Sequence, residues 1–136
     1  MAIMRRGGVH RRRGERGASA VEFALVLPVL LAILFGIIEF GFVFNNQISL
    51  NQAVREGVRV EALETGDGEQ VTRSSFLGVT ADAADLKVNV QSCEGDAERA
   101  TVTATYDHPF LFLPLDGVAE VNSPTLSGQA EMRCGG

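Results

Sequence analysis

Apolar residues follow three regimes along this chain. From Phe23 to Phe44 runs FALVLPVLLAILFGIIEFGFVF, with Glu39 as its one charged residue. Beyond it the apolar positions thin to a helical stripe, Ile48, Ala53 with Val54, Val58 and Ala62, with Asn51, Arg55, Glu56 and Arg59 between them. Further on the period falls to two. Leu86-Lys87-Val88-Asn89-Val90-Gln91 alternates strictly, Ala100, Val102, Ala104 and Tyr106 alternate with Thr101, Thr103 and Thr105, and Leu126, Ala130, Met132 and Cys134 alternate with Ser127, Gln129, Glu131 and Arg133.

Each regime predicts an element. A hydrocarbon core about 30 Å thick needs roughly 20 apolar residues in helix, so the first run reads as a transmembrane helix over 18–44. A soluble core helix would be shorter and patterned to one face. The stripe continues that helix to about Leu63, where Thr65-Gly66-Asp67-Gly68 stops it. From Ser19 to Leu63 such a helix is about 68 Å long, roughly twice a bilayer. Pro28 predicts a kink or local loosening. Residues 69–79 suggest a short helix, and the alternating segments suggest three half-buried strands, the first two joined by Glu94-Gly95-Asp96-Ala97-Glu98. Phe110, Leu111, Phe112 and Leu113, between the last two strands, are expected to cap the sheet, with a partner-binding patch as the alternative. The fold class is α+β: a long N-terminal transmembrane helix continuing (45–65) into a small exoplasmic domain (66–136) with a three-stranded, mainly antiparallel sheet.

Charge gives that helix a direction. The net of -5 conceals a split: residues 1–17 carry six Arg against one Glu, a net of +5, and the remainder six bases against sixteen acids, a net of −10. A basic block before the apolar run places the amino terminus in the cytoplasm and everything after Phe44 outside. A removable secretory signal has the same polarity, but the run ends in GFVFNNQ, where small residues would be needed. The small residues lie upstream, as Gly17-Ala18-Ser19-Ala20.

Two cysteines in an oxidising compartment favour a disulfide between Cys93 and Cys134, with two free buried thiols as the alternative. If the middle strand separates the outer two, their Cα atoms stand nearly 10 Å apart, beyond the roughly 7 Å a disulfide spans. Either the strand ends curl together or the first and third strands are parallel neighbours. No catalytic constellation stands out. His10 lies in the basic leader and His108 in a turn-like Tyr106-Asp107-His108-Pro109, and there is no CxxC, HExxH or phosphate loop. The expectation is no enzyme, cofactor, metal or small-molecule substrate. The acidic ectodomain argues against nucleic acid.

One motif remains. In RGERGASAVEFALVLPVLLAILFGIIEFG, cleavage after Gly17 would make Ala18 residue +1 and Glu22 residue +5, at the head of an apolar helix. This resembles a type IV prepilin leader. The wider string, with Gly17, Glu22, Phe23, Ala24, Pro28 and Glu39 followed by AVREGVR at 53–59, resembles the TadE-like proteins, minor pilins or pseudopilins of the tight-adherence (Flp) pilus system, over about residues 17–60. The resemblance implies processing at Gly17 and Ala18 by a prepilin peptidase, and assembly through Glu22, Phe23 and Glu39. Glu22 would neutralise the new amine of a neighbouring subunit, a pairing that offsets the cost of a charge near lipid. Without assembly, Glu22 is a helix-start acid stabilised by the macrodipole, and Glu39 an interfacial residue reaching headgroups. The implied partners are the major Flp pilin, other minor pilins and the membrane assembly platform. The implied location is the bacterial cytoplasmic membrane, single-pass, with passage to the surface or pilus on assembly. The competing reading is an uncleaved, anchored surface protein that binds through its sheet; a secreted enzyme would require a working His108.

Overall fold

The computed structural model describes residues 14–112 and 123–135. Leu113 and most of the basic leader, His10 included, therefore lie outside the described residues. The chain divides into two compact units, one ending at Leu34 and one beginning at Phe35. A single helix, α1, is assigned over Gly14–Ala62, starting earlier than Ser19 and running on through Pro28. In the first unit its side chains are almost all exposed, Leu25 at 72% among them.

The second unit holds the α+β domain. After α1 come α2 (Gly68–Ser75), a single 3-10 turn at Ala83–Asp85, and strands β1 (Lys87–Gln91), β2 (Arg99–Asp107) and β3 (Thr125–Arg133). The strand order is β1-β2-β3, both pairings antiparallel. The register puts Tyr106 opposite Leu126, Ala104 opposite Gly128 and Val102 opposite Ala130, so the alternating apolar residues line one face. The C-terminal part of α1 covers that face with Leu50, Ala53, Val54, Val58 and Ala62, all buried. Ile48, expected on the stripe, is 45% exposed; Leu50 takes its place. Small residues let the helix come close. A Cβ on Gly128 would stand 3.1 Å from Asn51 Oδ1 and 3.4 Å from Leu50 Cγ.

At the opposite edge of α1, α2 packs on Gly57. Asp67 caps α2 by accepting from the Glu69 and Gln70 amides, and Arg73 Nη1 donates to the carbonyls of Ala83 and Leu86 at 3.1 and 2.7 Å, tying α2 to the start of β1. A Cβ on Gly57 would overlap Thr72 Oγ1 and lie 2.8 Å from the Gly68 carbonyl. Two effects therefore oppose each other in Gly57→Ala. Helix propensity favours alanine by about 0.8–1 kcal/mol, whereas the clash is against backbone that moves only with α2 and costs about 1–3 kcal/mol. Gly57→Ala is expected to lower the thermal midpoint of the detergent-solubilised chain; a variant more stable than the parent would show propensity deciding instead.

The cysteines form a disulfide, with Cα atoms 5.8 Å apart. Of the two geometries that permit it, the structure adopts the curled ends: β2 does separate β1 from β3. Residues 92–98 turn from β1 into β2, the Ala97 amide donating to the Glu94 carbonyl (3.3 Å), while the Cys134 amide donates to the Glu98 carbonyl (3.1 Å) and the Gly135 amide to that of Ala62 (3.0 Å). At the other end of the sheet, Asp107 on β2 accepts from the Thr125 hydroxyl of β3 (2.7 Å) and the Lys87 ammonium of β1 (3.0 Å). These two partners hold its carboxyl below the usual range.

Candidate functional site

Two features stand out: the apolar surface of α1, and a buried polar chain where α1 meets the sheet. On the first, an 18-residue window has mean hydropathy 2.7 with none of it buried, so α1 is long and apolar enough to cross a membrane and fits a single-pass anchor. Gly17, Ala18, Glu22 and Phe23 are all exposed on this part of α1. The Gly17–Ala18 peptide lies within the helix. Phe23 is 62% exposed, and no other side chain of the described domain reaches it in a ring contact.

The second feature was not legible as a site. Glu39 is 4% exposed, enclosed by its own chain. Its carboxylate accepts from the Leu111 amide at Oε1 (3.1 Å) and Oε2 (3.2 Å), from the Phe112 amide at Oε2 (3.2 Å), and from His108, whose Nε2 lies 3.3 Å from Oε1. His108 in turn meets Asn46, Nδ1 to Nδ2 at 3.2 Å. The proton positions follow from the partners. The Val79 amide can only donate, so Asn46 Oδ1 faces it (3.1 Å) and Asn46 Nδ2 faces Thr80 Oγ1 and His108. His108 Nδ1 is thus an acceptor, and its Nε2–H donates to Glu39. One turn further, Ser49 Oγ accepts from the Leu77 amide at 2.8 Å.

Glu39, Asn46 and Ser49 thereby hold two connections against α1: the one after α2 and the one after β2. Among the described residues no buried side-chain nitrogen or oxygen lacks a partner. The aromatic contacts agree with this arrangement. Tyr106 lies edge-on to His108 (6.3 Å) and against Phe76 (5.9 Å); burial first, then the carboxylates of Asp85 and Asp82, push its phenol above the ordinary range. Phe112 stacks on Phe35 and Phe42 of α1 at 5.7 and 6.2 Å. The Phe110–Phe112 stretch therefore leans on the helix instead of capping the sheet. The His108 ring is fully buried and both its nitrogens are engaged. Among the described residues no group of three or more His, Cys, Asp or Glu is placed to hold a metal ion.

Residues 17–59 match the family described as TadE-like protein, which points to a Tad pilus-associated protein; the match covers about a third of the chain. No curated protein and no solved structure matches the chain. The matched stretch includes the exposed apolar run, Glu39, Asn46 and the close-contact Gly57.

Proposed function

We propose that this protein is a minor pilin or pseudopilin of the tight-adherence (Flp) system, cut after Gly17 by a prepilin peptidase. It acts structurally and not as an enzyme. The amino terminus starts in the cytoplasm, the α+β domain faces outward, and α1 rests in the membrane until the assembly platform extracts it. The major pilin and other minor pilins then replace lipid around the apolar run.

The observation that carries this reading is the family match itself, which begins at residue 17, the proposed last residue of the leader, and continues through an apolar helix surface that the chain leaves uncovered. A surface of that kind needs lipid or other helices around it. Glu22 and Phe23, both exposed, are the residues we assign to assembly, with Glu22 pairing the new amine of Ala18 on a neighbouring subunit. Glu39 is engaged inside its own chain, where its carboxylate accepts from the Leu111 and Phe112 amides.

The test is the intact mass of the protein extracted from membranes of cells with an active prepilin peptidase. A mature chain beginning at Ala18 is the expected result. A retained leader in such cells would sink the pilin reading and leave the permanently anchored surface protein.

A further inference from the structure

The Glu39–Phe44 segment of α1 poses a problem of depth. It belongs to the apolar run, and Phe40 and Phe44 are 69% and 58% exposed, yet on the neighbouring side of the helix it carries a non-helical piece of the domain, Phe110–Phe112. Irregular backbone does not ordinarily survive at hydrocarbon depth, because amides left without an acceptor there have no water to bond to.

Here the amides are paired. Those of Leu111 and Phe112 donate to the Glu39 carboxylate, and the same carboxylate takes the His108 proton donor. What this piece of chain shows to its surroundings is apolar: Leu111 is 49% and Phe112 45% exposed. Beside it an apolar groove of about 350 Å³ is lined by Gly36, Glu39, Phe40, Val43, Phe110 and Pro124. A water-facing turn needs neither a buried carboxylate for its amides nor large apolar side chains pointing outward. A lipid-facing turn needs both.

We infer that Phe110–Phe112 is a membrane-inserted turn, which enters the leaflet bordering the domain alongside α1 and takes lipid acyl chains as its partner. Three observations commit it to lipid: continuity with the apolar run, internal pairing of its Leu111 and Phe112 amides, and apolar side chains on its outer surface. The inference rests on the reading that the apolar run crosses a bilayer. Glu39 then acts as an internal acceptor that lets the domain sit partly within the membrane. Asn46, about 3 Å along the helix beyond Phe44, anchors the amide of Val79, whose side chain is 61% exposed.

The chain has no tryptophan, so single substitutions report cleanly. The full chain carrying Leu111→Trp, Leu30→Trp or Leu63→Trp is reconstituted into bilayers containing phosphatidylcholine brominated on its acyl chains. Leu63, 43% exposed, lies at the disulfide end of the domain and serves as the water-side control. Both Leu30→Trp and Leu111→Trp should lose most of their emission, with Leu111→Trp quenched best by bromines near the headgroup end and Leu63→Trp unaffected. Quenching at position 30 but not at 111 overturns the inserted turn while the spanning helix stands. Absence of quenching at 30 removes the membrane reading and the inference with it. Emission at 111 that is quenched neither by the brominated acyl chains nor by aqueous iodide places the side chain against protein and also overturns the proposal.

Discussion

Replacing Glu39 with leucine is expected to cost the domain about 3 to 5 kcal/mol, the upper range for a single substitution. The change would suit a plain membrane helix, since leucine is among its preferred residues. In this chain it strands three donors at once: the Leu111 and Phe112 amides and the Nε2–H of His108. Among the described residues Glu39 is the acceptor of all three, and each donor left buried without one costs about 1–3 kcal/mol. Thermal unfolding of the detergent-solubilised chain reads the loss as a fall of more than about 10 °C in the midpoint. Tyr106, the one tyrosine, packs against His108 and gives a local signal in the near-ultraviolet circular dichroism. Glu39→Gln keeps one carbonyl acceptor and should fall between parent and leucine variant. A leucine variant as stable as the parent, with the Tyr106 signal unchanged, would remove Glu39 from the role given it.

Loss of the covalent link between Cys93 and Cys134 has an effect of similar size by a different route. The bridge closes a loop over a sequence separation of 41. Loop-entropy models place the stabilisation for that length at about 4 kcal/mol. A small domain with a three-stranded sheet has little reserve against such a change. The Cys93→Ser/Cys134→Ser double variant is therefore expected to unfold at a markedly lower midpoint. It should also expose the end of β3 to protease first, since the Cys134 and Gly135 amide bonds fray once the anchor is gone. A double variant within about 1 kcal/mol of the parent would mean that α1 and those amide bonds hold the strand without help.

The elements of the fold were readable because each had a period of its own. Val88, Val90, Val102, Ala104 and Leu126 alternate as inward-facing strand residues should, and the structure puts them inward. The polar chain was not readable, because its members are 62 and 69 positions apart in sequence and belong to no short motif. A partial signal did exist. Glu39, Val43, Asn46, Leu50, Ala53 and Gly57 recur every three or four positions, so the buried stripe of α1 starts inside the apolar run. Ala53, Val54, Val58 and Ala62 are buried as the stripe predicts, but starting it at the exposed Ile48 left Asn46 and Glu39 off it. Phe110–Phe112 misled for a related reason: hydrophobicity says that a segment avoids water, without saying whether the sheet, the helix or lipid receives it. The disulfide was readable from compartment and cysteine count, but not its geometry, which depends on how the 92–98 connection brings Cys93 beside the end of β3.

A three-stranded sheet has two outer strands, and on the proposed assembly role identical chains are brought together at high local density. Under such crowding an outer strand is the element most easily exchanged between identical chains. The bridge from Cys93 to Cys134 bars that exchange topologically. Cys134 immediately follows β3, and its partner precedes β2 in the same chain, 5.8 Å away between Cα atoms. While the bond is intact, β3 cannot leave its own β2 to pair with a neighbour's. Oxidation thus makes each subunit conformationally self-contained before it meets others, and contacts between subunits are left to surfaces that each folded chain already presents.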